Sequence, residues 1–127
     1  MRLPKPSAIF WYGTWVCVLL TSPATAATYL ATPPFFVEEG ESVECAIVYL
    51  GRKEITAEPQ VRKSGAVVES SGQNLLSSGQ VATVDYDVPS DDQYWCQFSG
   101  RLKTRDVRAS GQVRDSGGAI RLIVPAQ

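Results

Sequence analysis

Cys45 and Cys96 each lie on the apolar side of a run whose residues alternate in character, and between them they set the terms for the fold. Val43, Cys45, Ile47 and Tyr49 alternate with Glu44 and Ala46, while Tyr94, Cys96 and Phe98 alternate with Trp95 and Gln97. In extended backbone successive side chains point to opposite sides, so period-2 alternation marks a strand with one buried face. Both sulfurs therefore point inward. A bridge between inward positions on strands so distant in sequence suits two sheets packed face to face. The chain is expected to be all-β, a two-sheet antiparallel β-sandwich with one inter-sheet disulfide. Closing a loop of that length stabilises a fold by about 4 kcal/mol in the chain-entropy picture.

Further strands are legible on the same principle. Phe35–Val37 follows Pro33-Pro34, a pair that splits a first strand because proline has no N–H to give to a ladder. Val84, Tyr86 and Val88 alternate with Asp85 and Asp87, and Ile120, Leu122 and Val124 share one side of a last strand. Turn chemistry punctuates these runs at Gly51, Ser64-Gly65, Ser70-Ser71-Gly72, Ser77-Ser78-Gly79, Pro89-Ser90-Asp91 and Ser116-Gly117-Gly118. No stretch carries a convincing helical stripe.

The N-terminus reads as an address. Arg2 and Lys5 precede an apolar run over residues 8–20, and small residues follow, with Ala24-Thr25-Ala26 offering a cleavage site. The run is shorter than the roughly 20 residues a helix needs to cross a bilayer. Residues 1–26 are therefore expected to be a secretory signal peptide and residues 27–127 a single domain. Cys17 leaves with the leader, so Cys45 and Cys96 are one pair in an oxidising compartment, where a disulfide forms. The expected product is secreted, with no membrane span after signal removal, either in its own right or as the soluble part of a membrane receptor.

Composition removes several chemistries. The chain has no histidine, the commonest general base and metal ligand, so Ser-His-Asp and Cys-His catalysis are excluded. Three cysteines without a CxxC pair do not make a four-thiolate zinc site. Asp85, Asp87, Asp91 and Asp92 lack the spacing of an EF-hand calcium loop. The expectation is a non-enzyme with no cofactor and no metal. Beyond the leader, 13 acids face 10 bases, a balance that does not favour nucleic acid. The bases are concentrated late: residues 100–127 hold six of them against two acids.

Tyr94-Trp95-Cys96, preceded by Asp91-Asp92, resembles the strand-F signature of immunoglobulin-like domains. Gly40-Glu41-Ser42-Val43-Glu44-Cys45 is similar to the run into strand B, Val84-Asp85-Tyr86-Asp87-Val88-Pro89 to strand E and its corner, and the segment led by Gly118 to strand G. The resemblance implies an immunoglobulin-like sandwich in which Tyr94 is the tyrosine-corner residue, bonding back to upstream backbone. The chain departs from the family in two places. Thr56-Ala57-Glu58-Pro59 stands where a strand-C tryptophan is usual, which leaves Ile55 or Val61 to fill the core. Ser90 stands where an acid is usual, which removes the local ion pair or shifts it to Asp91 or Asp92.

A sandwich of this kind hosts many functions, so function is read from its surface. Trp95 and Gln97 are expected to face outward from a C-F-G sheet, with Trp95 as an interface anchor. Residues 99–118 read as a long F–G loop carrying Arg101, Lys103, Arg105, Arg108 and Arg114. Arg101, Lys103 and Arg105 alternate, which suits a protruding ribbon with one basic face. These features point to an extracellular recognition module of the immune or cell-adhesion receptor type, binding an extracellular or cell-surface protein. The alternative partner is an acidic glycan of heparan sulfate type, held by the basic loop alone.

Overall fold

In the computed structural model, which describes residues 27–127, the alternation in the sequence becomes ten strands. They are β1 Ala27–Ala31, β2 Phe35–Val37, β3 Ser42–Tyr49, β4 Ile55–Lys63, β5 Ala66–Ser70, β6 Asn74–Leu76, β7 Val81–Asp87, β8 Asp92–Leu102, β9 Val107–Arg114 and β10 Ile120–Pro125. A 3₁₀ turn, Thr104–Asp106, joins β8 to β9. The expected leader, residues 1–26, lies outside the described residues.

The strands form the expected two antiparallel sheets, packed face to face. One has six strands in the order β1-β8-β4-β5, with β2 also on β8 and β6 also on β4; the other has four in the order β10-β9-β3-β7. Cys45 of β3 and Cys96 of β8 are disulfide-bonded across the gap, with Cα atoms 5.6 Å apart. Val43, Ile47, Val61, Tyr94, Phe98 and Val113 are wholly buried around the bridge. Gly111 of β9 stands opposite Cys45 in the ladder, and a Cβ there would lie 2.8 Å from the Cys96 sulfur and 3.2 Å from the Phe35 ring. Only a residue without a side chain leaves the sulfur its space.

Three prolines are placed where their missing N–H does no harm. Pro33-Pro34 separates β1 from β2, and the ladder is carried across the break by buried Thr32: its N–H donates to Cys96 O and its Oγ1 accepts from Cys96 N–H, both at 3.0 Å. Pro59 is wholly buried in the middle of β4, between the stretch that pairs with β6 and the stretch that pairs with β5. Its carbonyl accepts from Ser71 N–H on that side, so its nitrogen faces the same gap and takes no bond from the β8 ladder. Val61, one of the two residues expected to fill the core on this strand, is wholly buried opposite Cys96, with Ile55 partly buried beside the core. The β4–β5 hairpin turns on Ser64 and Gly65, both at positive φ (50° and 82°), as a tight two-residue turn requires.

The terminal strands depart from the expected order. Residues 99–118 are not a loop: β8 runs on to Leu102, and β9 takes up residues 107–114. Val107, Gly111 and Val113 of β9 are buried while Arg108, Gln112 and Arg114 turn away, so the period-2 pattern is present but weakened by glycine and by half-buried Ala109. Strand β10 pairs with β9 in the four-stranded sheet, and the strands beside β8 are β1 and β2. The expected C-F-G sheet is therefore replaced by one in which the N-terminal strands flank β8. The protruding basic ribbon does not form. Ala31 and Gln127 exchange backbone hydrogen bonds (3.2 and 3.0 Å), which laces this side of the sandwich shut.

One buried charge ties the C-terminal strand to the start of β3. Glu41, 6% exposed, accepts from Arg121 Nε and Nη2, both at 2.7 Å, and from Glu38 N–H at 2.8 Å. The Arg121 guanidinium and the Glu38 amide hold its carboxyl below the ordinary value of 4.5. On the outer face of the same sheet Asp85 lies directly opposite Glu44. Partial loss of water and the Glu44 carboxylate push Asp85 above its ordinary 3.8.

The two groups act in opposite senses. Glu41 contributes stability that is complete above 4.5 and is lost as pH falls through its lowered value, whereas the contribution of Asp85 is complete below 3.8 and is lost as pH rises through its raised value. Glu41→Gln is expected to cost on the order of 2 kcal/mol at pH 7 and to flatten the loss of melting temperature in acid. A variant whose acid limb matches that of the unaltered protein would remove Glu41 as its source. Cys45→Ser with Cys96→Ser is expected to cost about 4 kcal/mol, read from the denaturant midpoints of the variant and of the disulfide-bonded unaltered protein.

Candidate functional site

The outward side of β8 presents Gln93, Trp95, Gln97, Ser99 and Arg101, because Tyr94, Cys96, Phe98 and Leu102 are turned into the core. Strand β4 places Arg62 beside Trp95, Gln60 beside Gln97 and Glu58 beside Ser99. The Arg62 guanidinium lies over the indole, 5.2 Å from its centroid. It is held there by two acceptors, Gln60 Oε1 at 3.2 Å and Gly65 O at 2.6 Å. Gln60 in turn donates to Glu58 Oε2 at 2.8 Å, as does the Ser70 hydroxyl at 2.7 Å, and these two bonds lower the Glu58 pKa. A chain of polar contacts along β4 thus fixes the cation on the tryptophan. Phe36, Tyr29 and Val67, on β2, β1 and β5, stand exposed around this row at 49%, 56% and 45%.

Trp95 and Gln97 do face outward, but each is half-buried. The cation that covers Trp95 comes from β4, which a reading of the chain by local pattern had no reason to place beside it. Gln97 approaches the Ser99 hydroxyl at 3.5 Å.

The five basic residues expected to act together are divided. Arg101, Lys103 and Arg105 stay together at one end of the sandwich, on the end of β8 and the 3₁₀ turn. There they line a concavity of about 580 Å³ with Arg52 and Lys53 from the β3–β4 turn. Leu50 N–H donates to Asp106 O at 2.7 Å and so fastens one segment to the other, while the Tyr49 hydroxyl donates to Lys53 O and holds the β3–β4 turn in shape. Arg108 instead lies on β9, facing outward from the four-stranded sheet and donating to Val107 O at 2.8 Å. Arg114, at the far end of β9, lies 3.4 Å from Glu44. Neither reaches the concavity. Arg52 and Lys53 were missed because they are a dipeptide in a turn, and only the pairing of β4 with β8 brings that turn to the end of β8.

The acidic residues before strand β8 are occupied locally. Asp91 accepts from Glu39 N–H at 2.7 Å, and Asp92 pairs with Lys63 Nζ at 3.0 Å. Asp85 and Asp87 project from β7 on the other sheet.

Tyr94 does not form the expected tyrosine corner. Its ring is wholly buried, packed at 5.9 Å from the Tyr86 centroid and beneath Lys63, and its hydroxyl has no hydrogen-bond partner among the described residues. The tyrosine that bonds to nearby backbone is Tyr49. No helix among the described residues is long and apolar enough to cross a membrane. No protein-family model, curated protein or solved structure matches this chain.

A buried hydroxyl without a partner costs its own desolvation, so Tyr94→Phe is expected to be neutral or to raise stability by up to about 1 kcal/mol. A loss of that size on urea unfolding would show that the hydroxyl is bonded after all.

Proposed function

We propose that this chain is an exported, immunoglobulin-like recognition module, not an enzyme, that binds a protein partner with the outer face of its six-stranded sheet. It is the kind of module that immune and cell-adhesion receptors display. The observation that carries the reading is Trp95 held under Arg62 in the middle of that face, with Phe36, Tyr29 and Val67 exposed around it. Tryptophan, tyrosine and arginine are the residue types that dominate interface energetics, and a guanidinium already bonded to Gln60 and Gly65 loses little freedom when a partner covers it. The disulfide supports export, since such bonds persist in oxidising compartments. The absence of histidine from the sequence supports a binding role over catalysis.

Trp95→Ala is expected to leave the fold intact and to weaken partner binding by at least about 2 kcal/mol, as a central aromatic anchor does. The test is a screen of the secreted domain against arrayed cell-surface ectodomains, with melting temperature measured on both proteins. A partner that binds Trp95→Ala and the unaltered domain equally well would move the interface off this face, and a collapsed Trp95→Ala would make the tryptophan a packing residue.

A further inference from the structure

The basic concavity at the end of β8 is separate from the Trp95 face, since Arg101 lies six residues along the strand from Trp95, about 20 Å at the rise of extended chain. Five cations line it against two carboxylates, Glu54 and Asp106. Among the described residues Arg52, Lys53, Arg101 and Lys103 have no ion pair, and Arg105 meets Asp106 only at 3.9 Å. Elsewhere on the molecule Lys63, Arg114 and Arg121 are each matched to an acid. Unmatched cations gathered from two distant segments repel one another and raise the free energy of the native state unless an anion is supplied. The Leu50–Asp106 hydrogen bond and the pairing of Tyr49 with Val107 hold the segments together nonetheless.

We infer that this concavity is a binding site for a sulfated polysaccharide. Three features select that chemistry. The guanidinium groups of Arg52, Arg101 and Arg105 match the paired oxygens of a sulfate, as they match carboxylate and phosphate. The concavity offers no aromatic anchor to a protein partner, because Tyr49, the one aromatic in its wall, is buried with its hydroxyl already donated to Lys53 O. Past Arg101 the groove continues into a second hollow of about 520 Å³ with Thr56, Gln73 and Ser99 on its walls, neutral hydrogen-bonding groups of the kind that receive sugar hydroxyls. Glu58 borders that second hollow, where Arg101 is the one cation in the wall, so the sulfates are assigned to the first.

The test is binding of the mature domain to a short heparin oligosaccharide, to the same oligosaccharide stripped of sulfate, and to poly-glutamate, each at low and high salt. The sulfated chain is expected to bind alone, with an affinity that falls steeply with salt. Arg52→Ser with Lys53→Ser, and Arg101→Ser with Lys103→Ser, should each weaken it by about tenfold or more and reduce the salt slope. Lys63→Ser with Arg114→Ser removes the same charge away from the site and should change neither, and Trp95→Ala should leave glycan binding intact. Melting temperatures of all variants confirm that the domain is folded. Equal loss in the Lys63/Arg114 variant would mean general charge attraction and overturn the site. Equal or tighter binding of poly-glutamate would make the partner an acidic protein, and failure to bind the sulfated chain would end the proposal while leaving the Trp95 reading untouched.

Discussion

Cys96 is the residue on which every layer of the sandwich closes. Its sulfur is bonded to Cys45 of the opposite sheet, and both of its backbone polar groups are engaged by Thr32, which bridges the break between β1 and β2. Val61 of β4 stands beside it, and Gly111 of β9 gives up a side chain to make room for its sulfur. Five strands therefore meet at one position near the middle of β8. This is more than a covalent staple: with β1, β2, β3, β4 and β9 all referred to the same point, a shift of any one in register would put a polar or oversized group against the sulfur.

The parts of this architecture that depend on local alternation could be read directly. Val43 to Tyr49 and Tyr94 to Phe98 carry strong apolar contrast on one side, so their strands, their inward cysteines and the sandwich followed. The split of the first strand at Pro33-Pro34 followed from the missing amide. Strand β9 was hidden for a physical reason: Gly111 has to be without a side chain where it meets the disulfide, and Ala109 is small, so neither gives the hydrophobic signal that marks a strand, while Arg108 and Arg114 read as part of a charged loop. Strand neighbours were also hidden, because nothing in the alternation of β1 or β10 states which sheet edge it will occupy. The candidate surfaces inherited this limit. Trp95 was recognisable as outward, but Arg62 above it and Arg52 and Lys53 beside Arg101 are brought in by the pairing of β4 with β8 alone. Tyr94 shows the opposite case, a motif whose position is right and whose expected hydrogen bond is absent.

Charge is distributed on two principles. Where carboxylates and cations lie within reach they are paired and woven into backbone contacts, as at Glu41–Arg121 and Lys63–Asp92. At the end of β8 they are not: five cations stand there against Glu54 and Asp106 alone, and the remaining acids lie elsewhere on the chain. An overall negative molecule with one uncompensated basic end has an oriented field, which draws an anion toward that end and turns the domain as it approaches.

The lacing of β1 bears on how the chain acquires its shape. Ala27 and Tyr29 pair with Leu102 and Ser99, and Ala31 bonds to Gln127, so the first strand finds its partners only in the last third of the chain. A polypeptide made from its N-terminus thus carries this segment unpaired until β8 has been synthesised. Such distant pairings give high contact order and slow folding, and they leave apolar strand edges open in the interval. The hairpin of β4 and β5 and the pairing of β3 with β7 can form earlier, leaving the closing of β1 against β8 as a later step.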